Sequence, residues 1–249
     1  MPFTFSHPAI VISLSKNRLQ LSLTGLMVGS MVPDFEFFFR MKLDENIGHH
    51  WLGFFVFDIP VAFLMCFIFH NIIRNTFIQH LPDWLGNRFA SVMLFNWNSY
   101  AVKNKFKLCI SVIIGILSHL LWDAFTHYDG VFVLMIPVLT KEIHLLKLDI
   151  AVYDVLQFIS SAWGIWYVCS YIKSLPVEEK KINSAENSFK YWVALASFSI
   201  GILILRVFMM EGFQSFLNII FASIGSIIYA MILISLPYSK LKIIRWREE

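Results

Sequence analysis

The sequence predicts an all-α polytopic membrane protein, with about five transmembrane helices preceded by an N-terminal helical hairpin. Three observations carry that prediction. Of the 249 residues, 57% are hydrophobic and only 15% are charged, against about 25% charged in soluble domains. The aromatic share is 16%, with 25 Phe, which suits lipid-facing helices better than a soluble core. Five stretches are apolar for about 20 residues, the length a helix needs to cross a hydrocarbon core about 30 Å thick.

The elements follow in order. Pro8–Ser15 makes an apolar helix of about two turns and Leu19–Val32 one of about four, separated by Lys16, Asn17 and Arg18. Together they read as a hairpin in or at the membrane interface, closed by Pro33. The alternative is one spanning helix from about Leu19 to Phe39, interrupted at Pro33. The five spans run roughly over Trp51–Ile73, Leu108–Thr126, Ile150–Ile172, Tyr191–Met210 and Phe216–Leu236. Val131–Leu139 is apolar but too short to span, and reads as an interfacial or re-entrant piece. Val177–Ser188 is charged and reads as a solvated loop. No polar stretch is long enough for a soluble domain, so residues 1–249 read as a single membrane-embedded domain. Within it, 1–172 forms the core and 173–249 a loop with two further spans.

Lys and Arg in the short loops set the orientation. Arg74, Arg88, Lys103, Lys105 and Lys107 fall in one loop, Lys173, Lys180, Lys181 and Lys190 in another, and Lys240, Lys242, Arg245 and Arg247 in the tail. These three segments are expected in the cytoplasm, with the N-terminal hairpin outside. Lys16, Arg18, Arg40 and Lys42 in the hairpin pull against that arrangement. The opening MPFTFSHPAIV lacks a basic n-region and a small-residue cleavage site, so no removable signal peptide is expected. Cys66, Cys109 and Cys169 lie in apolar runs without metal spacing and are expected to be small buried side chains. No GxSxG, HExxH or Walker pattern occurs, and a net charge of +3 gives no footing for nucleic acid.

Chemistry concentrates in SHLLWDAFTH, residues 118–127. His119, Asp123 and His127 are spaced i, i+4, i+8, on one helix face. An unpaired Asp at the centre of a membrane helix costs about 2.5–3.5 kcal/mol on insertion scales, and imidazole with carboxylate is a usual donor set for zinc and other divalent ions. On a straight helix His119 and Asp123 are about 6 Å apart along the axis and can share an ion. His119 and His127, about 12 Å apart, cannot, so either two metals bind or His127 supports from outside. Interhelical hydrogen bonding is the bland alternative for all three.

Other candidates come from the N-terminal region. His7 precedes the first helix of the hairpin, and Asp34 and Glu36 follow the second, so an antiparallel hairpin makes His7 and Asp34 neighbours. His49 and His50 open the first span on the same side as His127. The expected metal ligands are therefore His7, Asp34, His49, His119, Asp123 and His127. Asp34 or Glu36 is expected to act as bridging ligand or general base. Asp58 is expected to cap backbone freed by Pro60, and Tyr153, Asp154 and Gln157 to orient a ligand histidine. Arg206 reads as a snorkelling side chain near Glu211. His70, His80 and His144 read as ordinary surface residues.

With those residues in view, the opening MPFTFSHPA, the run LTGLMVGSMVPDFE over 23–36, SHLLWDAFTHYDG over 118–130 and the segment Tyr153–Gln157 resemble a bacterial integral-membrane family. It is catalogued as domain of unknown function 4184. The resemblance covers most of residues 1–170. Gly48-His49 followed by Leu52-Gly53 is similar to the family's GH(S/T)xxG segment, which favours His49 over His50, where a small hydroxyl residue is more usual. More distantly the chain resembles membrane-bound metal-dependent hydrolases and the zinc-dependent phospholipase C type fold. The expectation is a metal-dependent hydrolase in a bacterial inner membrane, with a divalent ion such as zinc, membrane lipid as partner, and a lipid or other phosphoester as substrate. The competing expectations are a transporter or ion-handling protein using the same His/Asp face, and a scaffold with a structural metal.

Overall fold

The computed structural model describes residues 4–16, 20–43, 47–145, 148–178, 185–209 and 215–245. The chain is all-α and polytopic. Among the described residues, five helices are long and apolar enough to cross a membrane: Trp51–His80, Lys105–Met135, Val152–Ser174, Ser188–Met209 and Phe216–Pro237. Many of their large apolar side chains face outward, as in lipid-facing helices; Trp51, Phe55, Phe106, Leu121, Trp166 and Phe208 are among the exposed ones.

The described residues fall into two compact units that alternate along the chain. The first comprises Met1–Asp34, Ile47–Phe63 and Asn104–Ser174. Its N-terminal part is a hairpin of short helices, Pro8–Ile12 and Leu23–Gly29. Pro8 occupies the first helical position, where its missing N–H is not needed. The second helix starts at Leu23 because the Ser22 side chain accepts from the Gly25 amide and caps it. The expected start at Leu19 lies outside the described residues. After Gly29 the chain leaves the α-helix, passes through a 3-10 turn at Val32–Asp34 and re-enters helix at Phe35–Arg40. That break replaces the alternative of a single span through Pro33.

The Leu23–Gly29 helix packs directly on the second span, the helix Lys105–Thr126, at a crossing of small residues. A Cβ on Gly29 would lie 2.4 Å from the Val112 carbonyl oxygen, and one on Gly115 would lie 2.5 Å from that of Leu26. Only glycine lets the two backbones approach so closely. The Ser22 amide donates to Ser111 Oγ at 2.8 Å at the other end of the contact, and Ser111 in turn donates to the Lys107 carbonyl.

The segment after the second span differs from expectation. A short helix, Val131–Met135, is followed by an antiparallel pair of strands, Glu142–Leu145 and Leu148–Ala151. The ion pair of His144 with Asp149, directly opposite in register, ties the strands together, as cross-strand pairs do. The third span, Val152–Ser174, begins where the second strand ends.

The first span contains two π-helical turns, Phe54–Asp58 and Phe69–Ile73. The earlier one meets Pro60, which lacks an N–H and crowds the carbonyl four residues before it. The span continues to His80, beyond the expected end at Ile73.

The second unit comprises Phe35–Asn46, Leu64–Lys103 and Leu175–Glu249. Its helices Ala185–Met209 and Phe216–Arg245 pack on each other through a cluster of Tyr191, Leu195 and Ala230. Helix therefore begins inside the segment expected to be a solvated loop. Tyr229 donates to the Phe39 carbonyl, and Asn218 accepts from the Leu43 amide.

Three surface expectations fail in this unit. His70 is buried and stacked on Trp97, ring centroids 4.1 Å apart. His80 is buried and stacked on Tyr191, its Nδ1 bonded to the Thr76 carbonyl at 2.7 Å. In both, the aromatic face covers the ring while a nearby polar group serves a nitrogen; for His70 that group is the Arg74 guanidinium. Arg206 is buried within its span and does not snorkel. The cysteines are reduced and graded in exposure, Cys66 buried, Cys109 half-buried and Cys169 exposed.

Candidate metal centre

Four side chains of the first unit, Asp34, His49, His119 and Asp123, bring one donor atom each to a common point, all within 4.8 Å of one another. Each arrives by a different local device. The helix Lys105–Thr126 presents His119 and Asp123 on one face, with His119 Nε2 3.2 Å from Asp123 Oδ2. The 3-10 turn at Val32–Asp34 delivers Asp34, whose Oδ1 is 3.3 Å from His119 Nε2. The turn before the first span delivers His49, with Nε2 3.2 Å from Asp123 Oδ2, 3.6 Å from Asp34 Oδ1 and 3.3 Å from His119 Nε2.

The five separations that involve an imidazole, 3.2–3.6 Å, are close to those of a metal's donor shell. A tetrahedral ion with bonds of about 2.0–2.1 Å has its donors about 3.3–3.4 Å apart. The protonation pattern agrees. The Ser30 carbonyl can only accept, so His119 Nδ1, 2.8 Å away, carries a proton, which leaves Nε2 as the nitrogen that can offer a lone pair to a cation. Asp34 Oδ1 is buried with no hydrogen-bond partner, a costly state for a carboxylate oxygen unless a cation faces it. Asp34 and Asp123 also turn like charges toward one point, which a divalent ion between them would neutralise.

Outer contacts orient the donors, as in established metal sites. Thr4 Oγ1 donates to Asp34 Oδ2 at 2.6 Å, which leaves Oδ1 for the cluster. Gly48 lets the His49 turn close on the Asp34 turn, because a Cβ there would lie 2.7 Å from the Pro33 carbonyl oxygen. The same Cβ would lie 3.0 Å from Asp58 Oδ1, so the buried Asp58 sits beneath this turn.

His7 and His127 stand beside the four. His7 is stacked on His119, ring centroids 3.9 Å apart, with Nε2 3.7 Å from Asp123 Oδ1. Burial depresses its pKa to about 3. The second-span helix ends at Thr126, so His127 turns out of the helical path in extended conformation. Its Nδ1 lies 3.5 Å from Asp123 Oδ1. The straight-helix spacing that separated His127 from the rest does not apply. Gln157 reaches His127 Nε2 at 3.3 Å, whereas Tyr153 and Asp154, on the same helix, are half-buried.

Hairpin closure brings residue 4 rather than residue 7 into direct contact with Asp34. Glu36 is not among the four; its Oε1 pairs with Arg40 Nε at 2.8 Å in the second unit. His50 is exposed. Sequence reasoning missed the roles of Thr4, Ser30 and the Gly29/Gly115 crossing. Gly25-Leu-Met-Val-Gly29 is a small-xxx-small pattern that signals the crossing.

The family model described as Domain of unknown function (DUF4184) matches residues 1–236. No curated protein and no solved structure matches the chain.

Proposed function

The chain belongs to the DUF4184 family, and from that premise we propose that it is a membrane-embedded, metal-dependent hydrolase of a phosphoester presented at the bilayer surface. The observation that carries this reading is the convergence of Asp34 Oδ1, an acceptor buried without a hydrogen bond, with Asp123 and two imidazoles at metal-shell distances. A divalent ion such as zinc, held by Asp34, His49, His119 and Asp123, would lower the pKa of a water and polarise a phosphoryl oxygen.

The protein's own groups do the rest. Ser30 fixes the His119 tautomer and Thr4 fixes the Asp34 rotamer. With Glu36 engaged by Arg40, Asp34 is the carboxylate assigned to bridge or to accept the water's proton. In the overall step water oxygen bonds to phosphorus, the ester P–O bond breaks, and the leaving alkoxide takes up a proton.

The position of the site supports a bilayer substrate. His49 and His127 are the least buried of the six histidines and carboxylates, with side chains 19% and 21% exposed. Their chain neighbours Trp51, Leu52 and Tyr128 are exposed, at the ends of the first and second spans, where interfacial aromatics belong. Toward the other end of the second span, Ser111 is consumed in helix packing, which favours a one-sided site over a path across the membrane. A bacterial inner membrane is the proposed location, with membrane lipid as the partner.

The test is hydrolysis by the purified, metal-loaded protein of lipid phosphomonoesters and phosphodiesters in mixed micelles, beside a soluble aryl phosphate. The reading expects turnover that chelator and Asp123→Ala abolish. A fully metal-loaded protein that turns over none of these substrates supports a second reading. Four protein donors can complete a tetrahedral shell, as structural zinc sites do, and chelation would then unfold the protein without any loss of catalysis to measure.

A further inference from the structure

We propose that Asp123 bridges two cation positions, the second formed by its Oδ1 with His7 and His127. This rests on the metal reading above and adds what four ligands alone lack, an open coordination position. The two oxygens of Asp123 face different partners. Oδ2 lies 3.2 Å from both His49 Nε2 and His119 Nε2, while Oδ1 lies 3.7 Å from His7 Nε2 and 3.5 Å from His127 Nδ1. A carboxylate split between two groups of imidazole nitrogens is the arrangement a bridging ligand takes.

His7 has no adequate structural explanation. Its side chain is only 6% exposed, and its Nδ1 is buried with no hydrogen-bond partner. Burying an imidazole in that state is unfavourable, yet the 3.9 Å stack on His119 holds the ring so that Nε2 is the nitrogen nearest Asp123. Coordination through Nε2 accounts for the orientation of the ring.

His127 Nδ1, the nitrogen near Asp123 Oδ1, also lies 3.3 Å from the Asp123 main-chain carbonyl, and the Gln157 side-chain amide lies 3.3 Å from Nε2. Coordination through Nδ1 would move the imidazole proton to Nε2, where Gln157, turned with its carbonyl oxygen toward the ring, would accept it.

The second position therefore has three protein donors, where the first has four. Three donors plus an exchangeable site is the pattern of catalytic zinc, and a closed set of four that of structural zinc. On this assignment the second cation would take the phosphoester oxygen, a role the reading above gave to the four-ligand cation, which would instead hold the helices and Asp123 in place.

Metal stoichiometry of the full-length protein in detergent tests the proposal, with zinc and manganese as the probes. Wild type is expected to bind two equivalents, and His7→Ala and His127→Ala one each. With manganese, the second equivalent is expected to produce an exchange-coupled spectrum that both variants lack. Gln157→Leu, which removes no ligand, is expected to weaken only the second equivalent, by about 10–100-fold, and this keeps the test open should either histidine variant fold poorly. Saturation of wild type at one equivalent overturns the second position and leaves the four-ligand site standing. Retention of two equivalents by both histidine variants overturns the ligand assignment. Wild type that binds no metal overturns both this proposal and the hydrolase reading.

Discussion

His119 donates its Nδ1 proton to the main-chain carbonyl of Ser30 at 2.8 Å, so one bond both sets the imidazole tautomer and ties the second span to the N-terminal hairpin. The bond needs the two helices at glycine distance. Ser30 immediately follows Gly29, and His119 lies one turn beyond Gly115, the two residues whose backbones meet at the crossing.

That dependence is testable away from any ligand. Gly115→Val places side-chain atoms where the Leu26 carbonyl and the Ser30 amide lie, and overpacking of this kind costs about 1–3 kcal/mol. The variant should unfold at lower temperature in detergent and bind metal more weakly, because Ser30 is displaced from His119. Unchanged melting together with unchanged metal content would show that the crossing does not position the site.

Removal of the donors should separate metal binding from folding. His119→Ala and Asp123→Ala should lose metal yet insert normally, since each span keeps its apolar length. Loss of an intramembrane carboxylate also removes a desolvation penalty. His144→Ala is the appropriate control, because His144 is exposed and pairs only with Asp149 across the strand pair. His80 is unsuitable, being buried against Tyr191. Elemental analysis that finds full metal in both donor variants would reduce the cluster to helix packing.

What the sequence disclosed, and what it withheld, follows from the range of each signal. The i, i+4 spacing of His119 and Asp123 is local and survives in the fold because one helix carries both. The pairing of the hairpin ends is also nearly local, and Asp34 duly meets residue 4. His127 approaches Asp123 by a route that the spacing argument did not contain, because that argument assumed a helix continuing past Thr126. Where a membrane helix ends depends on the chain that follows, here the Val131–Met135 turn and the strand pair. His70 and His80 looked solvated because their covers, Trp97 and Tyr191, are 27 and 111 residues away, and no periodicity links them. The Gly29/Gly115 contact is long-range in the same sense, though one half of it is written as a small-xxx-small pattern.

Thr4 offers a milder perturbation than ligand removal. Its hydroxyl holds Asp34 Oδ2 at 2.6 Å, and loss of such an outer partner typically costs 10–100-fold in metal affinity. Thr4→Val should show that loss in a competition titration with a chromophoric chelator, and Thr4→Ser should restore most of it. Equal affinities for Val and Ser at this position would mean that the hydroxyl does not orient the carboxylate.

Orientation in the membrane rests on the basic loops alone. The segment holding Arg88, Lys103, Lys105 and Lys107 is expected in the cytoplasm, so Asn98→Cys, in a background without the exposed Cys169, should resist an impermeant maleimide in whole cells and react after lysis. Labelling in intact cells would invert the topology and put the metal cluster on the cytoplasmic side.

The sharpest geometric prediction concerns Gly48, which carries no chemistry of its own. A Cβ there would meet the Pro33 carbonyl oxygen at 2.7 Å and Asp58 Oδ1 at 3.0 Å. Backbone on one side and a buried carboxylate on the other leave little room to yield. In Gly48→Ala the turn must back away from Pro33, and it carries His49 with it. His49 Nε2 now lies 3.6 Å from Asp34 Oδ1 and 3.2 Å from Asp123 Oδ2, so a shift of even half an ångström takes it out of a shell whose donors belong about 3.3–3.4 Å apart. Metal affinity should therefore fall by at least about 10-fold, the lower end for disturbance of a ligand's support, although all donors remain. Gly201→Ala is the matched control. That glycine has open space around it inside the helix Ala185–Met209, where alanine is favoured by roughly 0.5–1 kcal/mol. The pair should therefore move in opposite directions, Gly48→Ala losing metal and Gly201→Ala melting slightly higher with metal content intact. If Gly48→Ala binds metal as wild type does, His49 is not held by this turn and its place among the four ligands fails.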